Sequence, residues 1–327
     1  MTPAAPHLSL FAAVLAGCLP LVALAAQSAS QPAVSAGPPA NATPASARER
    51  EAELGLTGPA HPRLPSLILV GDSTVRNGHG AGADGQWGWG APLAELFDPA
   101  RINVVNRAIG GLSSRTYISQ GHWELTLALI KPGDFVLIQF GHNDGGLSLP
   151  GTAPESDPGA ANGNASASST GKARGSLPGV GDQTLEVENP ATHEPELVHS
   201  FGWYLRKYVA DVRARGATPI LCSLVPRKIW LGDHIQRNTE TYRGWTRSVA
   251  EQQHVLFVDL NEIIARRYDA MGPGAVDPLF GDPHTHTTWA GAVLNAECVV
   301  AGFRALPGHP LDRYLSVKGR AIRPYKA

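Results

Sequence analysis

Three short polar segments of this chain contain residue types that together suit ester hydrolysis. Ser73 lies in Gly71-Asp72-Ser73-Thr74, Asn143 lies in Gly141-His142-Asn143-Asp144, and the third segment is Asp282-Pro283-His284-Thr285-His286. A serine hydroxyl can attack a carbonyl carbon, and an amide N–H can stabilise the oxyanion that forms. A histidine oriented by a carboxylate can accept the serine proton. The segments therefore predict a serine esterase site.

The third segment offers two histidines for the role of general base. We assign His286 as the base and Asp282 as the acid that orients its imidazole. His284 is the rival base, because it also lies close to Asp282 in the chain. Metal binding by the two histidines is a further alternative, but alternate residues of a loop need ligands from elsewhere to complete a tetrahedral set.

The elements that precede these segments predict how they meet. Apolar runs at 67–70 and 135–140 come directly before the first two segments and indicate buried strands. A third strand is predicted at 102–105, and Gly110-Gly111 follows it. In open α/β sheets the carboxyl ends of the strands line one crevice, so residues that follow different strands meet there. A glycine at that point allows a backbone N–H to face the same oxyanion.

Strand and helix patterns alternate along the rest of the chain. Helical patterns cover 89–97, 123–130, 201–212 and 261–271, further strands are predicted at 219–224 and 255–258, and a last helical pattern follows the third segment. This alternation predicts an α/β fold with a doubly wound, mostly parallel sheet and right-handed crossovers.

The motifs taken together resemble those of a known enzyme family. They are Gly71-Asp72-Ser73-Thr74, Val105-Asn106-Arg107-Ala108-Ile109-Gly110-Gly111, Ser113-Ser114-Arg115-Thr116, Gly141-His142-Asn143-Asp144, Arg174-Gly175-Ser176-Leu177-Pro178-Gly179, Gly202-Trp203-Tyr204-Leu205-Arg206-Lys207 and Thr285-His286-Thr287-Thr288-Trp289-Ala290-Gly291-Ala292. Over residues 64–306 the chain resembles the SGNH (GDSL-type) hydrolases, and among them the bacterial rhamnogalacturonan acetylesterases.

The resemblance implies a fold and a set of site residues. The expected fold is a three-layer α/β/α, flavodoxin-like sheet. Ser73 is implied to be the nucleophile and His286 the base. The backbone amides of Ser73 and Gly111, together with the Asn143 side chain, are implied to form the oxyanion hole.

Two positions of the chain depart from the family pattern. The family acid often stands three residues before the catalytic histidine, where this chain has Pro283, whereas Asp282 stands four residues before it. Position 112 is Leu112, where many members have arginine.

The expected function is that of a serine esterase, exported from the cell, which removes acetyl groups from rhamnogalacturonan through an acetyl-enzyme. We assign substrate binding to Trp89, Asp144 and His284, and we expect no metal and no cofactor. The alternatives are an acetyl xylan esterase, a short-chain lipase or a thioesterase with the same mechanism. A non-catalytic carbohydrate-binding protein and a flavodoxin-like nucleotide binder are alternatives of other classes. The second would need a glycine-rich phosphate loop after the first strand.

Composition limits the partners. The 327 residues carry a net charge of −1, which gives no case for nucleic acid or an anionic membrane surface as a partner. The 43% of hydrophobic residues is ample for one large core. We expect a monomer with no nucleic acid and no stable membrane partner, and the resemblance implies acetylated pectic polysaccharide or oligosaccharide as the molecule that it binds.

The chain is predicted to have four parts. They are a signal peptide at 1–26, an Ala/Pro/Ser-rich linker at 27–63, the hydrolase domain at 64–310 with a long loop at 147–184, and a C-terminal tail at 311–327. A loop of that length is either functional or disordered.

The first part is typical of an export signal. Residues 8–26 are apolar and small, and Ala23-Leu24-Ala25 is a candidate cleavage site. Leu15-Ala16-Gly17-Cys18 makes a lipoprotein signal the alternative, while Pro20 argues against a permanent transmembrane helix. We expect a periplasmic or secreted protein. Two cysteines follow the signal, Cys222 and Cys298, either as a disulfide or as two buried thiols.

Overall fold

The structure is a computed structural model that describes residues 44–326, apart from 79, 81, 150–173 and 190–192. The predicted signal peptide, the first part of the predicted linker and most of the predicted long loop therefore lie outside the described residues. None of the described helices is long and apolar enough to cross a membrane.

A parallel sheet of five strands is at the centre of the described chain. The strands in chain order are β1 (Ser66–Gly71), β2 (Asn103–Asn106), β3 (Phe135–Gln139), β4 (Thr184–Glu188), β5 (Pro195–His199), β6 (Thr218–Cys222), β7 (Trp230–Leu231), β8 (His234–Ile235) and β9 (Leu256–Val258). The central sheet has the order β2-β1-β3-β6-β9, and all its neighbouring pairs are parallel. β4 pairs with β5 and β7 with β8 as antiparallel hairpins.

Helices cover both faces of this sheet. They are α1 (Pro44–Glu53), α2 (Gly90–Leu93), α3 (Thr116–Ser119), α4 (His122–Leu127), α5 (Phe201–Ala214), α6 (Tyr242–Gln252), α7 (Leu260–Met271), α8 (Pro273–Val276), α9 (Trp289–Phe303) and α10 (Val317–Ala321). Each helix or strand predicted from the sequence is present, with bounds that shift by a few residues, as is normal for element ends.

The alternation of side chains along the strands produces the three layers. In β1, Leu67 and Leu69 enter the hydrophobic cluster that α2, α7 and α9 complete. Ile68 and Val70 point the other way, into the cluster completed by α4, α5 and α6. A strand buried on both faces needs apolar residues at every position, which is why the run appears continuous in the sequence. The predicted three-layer α/β/α class is confirmed.

The strand order fixes where the crevice lies. β1 stands between β2 and β3, so the chain leaves β1 toward one edge of the sheet and later continues from β3 toward the other edge. The carboxyl ends of β1 and β3 flank this topological switch point, which is where ligands bind in such sheets. The first two polar segments follow these two strands.

Part of the predicted linker is instead an ordered helix. In α1 the Glu51 carboxylate accepts a hydrogen bond from Arg107 and lies 3.3 Å from the ring of His122, and both partners are buried. The linker prediction is wrong for this stretch, because an Ala/Pro/Ser-rich composition does not reveal an ion pair with a distant residue. The helix places Glu51 against the buried side chains of Arg107 and His122.

The predicted C-terminal tail also belongs to the core. Leu311 and Leu315 lie in the same hydrophobic cluster as the central strands, and α10 packs with Gly319 against the backbone of Leu96. The domain boundary predicted at 310 is therefore wrong. Basic residues such as Lys318 and Arg320 are typical of a solvated tail, but Leu311 and Leu315 of the same segment are buried.

The β4–β5 hairpin was not predicted, and one buried ion pair anchors it. Glu196 of β5 accepts hydrogen bonds from Arg115, whose Nε lies 2.7 Å from the carboxylate, and from Asn189 at 2.8 Å. Arg115 and Glu196 are both almost fully buried.

Cys222 and Cys298 are buried and unpaired, so of the two alternatives the structure has free thiols.

Candidate active site

Ser73 lies in a tight turn at the carboxyl end of β1. The carboxylate of Asp72 accepts hydrogen bonds from the Thr74 backbone N–H at 2.9 Å and from the Thr74 hydroxyl at 2.7 Å. A side chain at Gly71 would place its Cβ 2.6 Å from the carbonyl oxygen of Gln139, so only glycine fits where the turn leaves the sheet. The turn is therefore fixed at both ends, and the Ser73 side chain remains partly exposed.

A chain of two hydrogen bonds links Ser73 to the third polar segment. The Ser73 Oγ lies 2.8 Å from Nε2 of His286, and Nδ1 of the same ring lies 2.6 Å from Oδ2 of Asp282. The carboxylate only accepts, so Nδ1 carries the proton and Nε2 is left to accept the hydroxyl hydrogen. The structure thus brings together Ser73, His286 and Asp282, which the sequence analysis assigned as a triad, and the arrangement can remove a proton from the serine.

Asp282 is held by its own loop. Its Oδ1 accepts backbone hydrogen bonds from His284, Thr285 and His286 at 3.0, 2.6 and 3.0 Å. Burial alone would raise the pKa of Asp282, but these amides and the His286 ring hold it below its ordinary value. The carboxylate is therefore ionised at neutral pH. This turn places Asp282 against His286 although the two are four residues apart in the chain.

His284 occupies a different position from His286. Its Nδ1 lies 2.7 Å from the Thr285 hydroxyl, and its carbonyl accepts the Lys228 backbone N–H. The structure thus places His286, and not the rival His284, against Ser73. In the part of the chain that the structure describes, no group of three or more His, Cys, Asp or Glu side chains could hold a metal ion.

The backbone amides of Ser73 and Gly111 and the Asn143 side chain are the candidate oxyanion donors. Gly111 has a φ of +82°, and a Cβ built on Gly110 would lie 3.4 Å from the Ser73 Cβ, so the glycine pair abuts the serine. Neither the Ser73 nor the Gly111 backbone N–H donates to another described residue. The Asn143 side-chain amide donates to the Leu112 carbonyl at 3.0 Å, which leaves its second N–H free to donate. Such donors can stabilise an oxyanion.

A second histidine–aspartate pair lies beneath the serine turn. The His142 ring has Nδ1 at 3.3 Å from Oδ2 of Asp72 and Nε2 at 3.1 Å from the Val225 carbonyl. Both partners are acceptors, so each nitrogen of the imidazole faces an oxygen. Burial would raise the pKa of Asp72, but the His142 charge and the hydrogen bonds from His142 and Thr74 keep it below its ordinary value. The pair joins the turns after β1 and β3.

Two residues assigned to substrate binding do not reach the crevice. Trp89 is 1% exposed in the core, where its Nε1 donates to the Gln139 side chain at 2.9 Å. Asp144 is also buried, and its carboxylate accepts hydrogen bonds from Ser114 and Ser176. Burial raises the pKa of Asp144 to about 7. Both assignments were wrong, because the residue types suit sugars but packing places them inside. Trp89 lies directly before α2, on the apolar stripe of the helical pattern at 89–97.

An aromatic pair and a cation near the site were not among the residues assigned to substrate binding. Trp87 pairs with Thr287 of the histidine loop, and its ring contacts that of Trp289 edge-on with centroids 4.6 Å apart. Trp289 is 42% exposed. Its position three residues after His286 could have signalled this role. Arg174 lies next to Gly111, with Nη1 at 3.4 Å from the Gly111 carbonyl, and no sequence signal joins two residues so far apart.

The sequence model of a known protein family matches most of the chain. The sequence model of the GDSL-like Lipase/Acylhydrolase family matches residues 69–294. That range contains Ser73, Gly111, Asn143, Asp282 and His286. The match therefore covers the whole arrangement described above.

Curated relatives cover a similar range. A rhamnogalacturonan acetylesterase of Emericella nidulans is 28% identical over 232 residues, which are 71% of this chain and 82% of that protein. The probable rhamnogalacturonan acetylesterase YesY of Bacillus subtilis is 28% identical over 250 residues, which are 75% of this chain and 94% of that protein.

A solved structure has the same fold. The crystal structure of Bacillus subtilis YxiM aligns with a TM-score of 0.54 and 23% identity. The alignment covers 74% of this chain but only 56% of that one, so this chain spans little more than half of YxiM.

Proposed function

The chain belongs to the GDSL-like lipase/acylhydrolase family and is a serine carboxylic ester hydrolase, and from this premise we propose that it deacetylates rhamnogalacturonan outside the cytoplasm. The single observation that carries the reaction type is the chain of contacts from Ser73 through His286 to Asp282 at the switch point of the sheet. The names of the two relatives support acetate as the acyl group and rhamnogalacturonan as the polymer.

The proposed mechanism follows from the protonation states. His286 Nε2 accepts the proton of the Ser73 hydroxyl as its oxygen attacks the acetyl carbonyl, and the ionised Asp282 stabilises the imidazolium. The backbone amides of Ser73 and Gly111 and the Asn143 side chain donate to the oxyanion, a contribution of about 3–4 kcal/mol for each donor of this kind. His286 then protonates the leaving sugar hydroxyl, and an acetyl-enzyme remains.

The second half of the reaction uses the same groups. His286 accepts a proton from a water molecule that attacks the acetyl carbon, and Ser73 leaves with that proton as acetate forms. No atom is taken up beyond one water per ester bond. The exposed face of Trp289 and the neighbouring Trp87 offer apolar ring surface close to His286, which suits the faces of sugar rings.

Acetate release from three substrates tests the proposal. Acetylated rhamnogalacturonan, acetylated xylan and a small aryl acetate are compared at equal ester concentration, with the Ser73→Ala variant as the control for the site. We expect the first polymer to be the best substrate by kcat/KM. The variant should lose about a thousandfold or more of its activity on each, because triad members act as a unit. Faster release from xylan would move the function to an acetyl xylan esterase.

Export is a separate part of the proposal and has its own test. The apolar segment at 8–26 supports it. The full chain is expressed in a bacterial host, and the mature protein is located by cell fractionation and its N-terminus sequenced. A protein that begins after residue 25 supports cleavage at Ala25, whereas a lipid-modified Cys18 in the membrane fraction supports the lipoprotein alternative. Full-length protein in the cytoplasm would refute export.

A further inference from the structure

The guanidinium of Arg174 lies beside the proposed oxyanion hole. Its Nη1 is 3.4 Å from the Gly111 carbonyl, and a Cβ built on Gly111 would approach the same nitrogen at 4.0 Å. Gly110, the preceding residue, abuts the Ser73 side chain. Only Gly110 and Gly111 therefore lie between the positive charge of Arg174 and the nucleophile Ser73.

The backbone around Arg174 is tied to the site at three points. The Ser113 hydroxyl donates to the Arg174 carbonyl at 2.6 Å, and Arg115 Nη1 donates to the Gly175 carbonyl at 2.8 Å. The Ser176 N–H donates to the backbone carbonyl of Asp144 at 2.9 Å. A side chain on a backbone held in this way has a fixed origin, as a specific binding group requires.

The charge of Arg174 lacks a protein counter-ion among the described residues. Two other buried or partly buried arginines have one: Arg115 has Glu196 and Arg243 has Asp259. Arg174 forms no ion pair with a described carboxylate, and its Nε is buried without a hydrogen-bond partner. A partly buried guanidinium without a counter-ion favours an anion that arrives with the substrate.

We propose that Arg174 is a specificity-determining residue that binds the carboxylate of a uronic acid in the polysaccharide, at or next to the acetylated sugar. The inference rests on the proposed function. A guanidinium presents planar N–H donors that match the two oxygens of a carboxylate, which a neutral sugar does not offer. Arg174 thus distinguishes an acidic polymer such as rhamnogalacturonan from a neutral one such as xylan.

The test varies the charge on both sides of this contact. Arg174→Gln and the wild-type enzyme are compared on acetylated rhamnogalacturonan and on the same polymer with its carboxylates converted to methyl esters. The variant should lose about ten- to hundredfold in kcat/KM on the charged polymer, mainly through KM, as expected for a charge-assisted hydrogen bond. On the methyl-esterified polymer the difference between the two enzymes should close. Arg101→Gln, at an exposed position before β2, is the matched control for the change of net charge.

Equal losses on both polymers would mean that Arg174 supports the Gly111 turn, and would overturn the proposal, as would no loss on either. A second measurement separates this proposal from the proposed function. Deacetylated rhamnogalacturonan oligosaccharide should inhibit aryl acetate hydrolysis competitively, with a Ki about tenfold higher in Arg174→Gln. If the wild type released acetate from neither polymer, the proposed substrate would fail. An unchanged Ki would then refute the carboxylate contact independently.

Discussion

At the scale of single residues, the decisive feature is which of the two loop histidines contacts Ser73. His286→Ala should lose activity about as severely as Ser73→Ala, because His286 alone bonds to the Ser73 hydroxyl among the two loop histidines. His284→Ala should lose much less, since its ring bonds to Thr285. Aryl acetate hydrolysis at pH 8 measures both, with circular dichroism as the folding control. The reverse ranking would assign the base to His284.

The buried Asp144 should make stability depend on pH. Its pKa is about 7 in the folded protein and 3.8 in an ordinary setting, so between these values the folded state keeps a proton that the unfolded state has lost. Stability therefore falls as pH rises from about 4 to about 7. Above that range the protonated Asp144 no longer stabilises the folded state. Asp144→Asn cannot ionise and should lack the decline. Urea unfolding at pH 5 and pH 8 compares the two proteins, and parallel profiles would contradict the assignment.

The sequence indicated which residues could form the triad, but it did not indicate which nearby side chains are exposed to substrate. Ser73, Asn143 and His286 could be placed because each follows or precedes a strongly patterned element, and strand ends meet at one edge of a sheet. The same reasoning failed for Trp89 and Asp144. Whether a polar or aromatic side chain points into a crevice or beneath it depends on rotamer and packing, which spacing does not encode.

At the scale of elements, the β4–β5 hairpin depends on one buried pair. Glu196→Gln leaves the Arg115 guanidinium buried without a counter-ion, which should cost about 3–5 kcal/mol of the free energy of unfolding or detach the hairpin. Glu188→Gln is the matched control, because Glu188 lies on the same hairpin in an exposed pair with His193. Thermal unfolding and limited proteolysis measure the two outcomes. Equal behaviour of the two variants would show that the pair does not anchor the hairpin.

The hairpin and α1 were missed for a common reason. Both have alternating or mixed polar faces, and each buries one acidic residue, Glu196 or Glu51, that pairs with a distant arginine. Local patterns detect apolar faces and do not detect ion pairs between residues far apart in the chain. By contrast, strands such as β1 and β3 are apolar throughout and were predicted to within one or two residues.

At the scale of the whole molecule, the ordered unit begins before the family match does. A chain that starts at residue 57 lacks α1 and should unfold several degrees below one that starts at residue 37. The shorter chain leaves the buried Arg107 without Glu51 and lacks Leu54 and Leu56, which pack against the hydrophobic cluster. Differential scanning calorimetry at pH 7 measures the midpoint of each chain. Identical midpoints would mean that α1 contributes nothing to the fold.

The overall architecture was predictable because it rests on a repeated signal. Five apolar strand patterns separated by helical patterns specify a parallel sheet covered on both faces, and the order β2-β1-β3-β6-β9 is a common solution for such chains. Export of the protein and the identity of its polymer stay predictions, since both depend on recognition by other molecules.

The two unbonded cysteines make the activity of the enzyme independent of reducing or oxidising conditions. Cys222 in β6 and Cys298 in α9 lie within the core, and burial raises the pKa of both thiols, so neither forms a reactive thiolate. The described fold carries no cross-link that a reductant could break. The enzyme should therefore keep its activity in dithiothreitol, in glutathione buffers and in air alike.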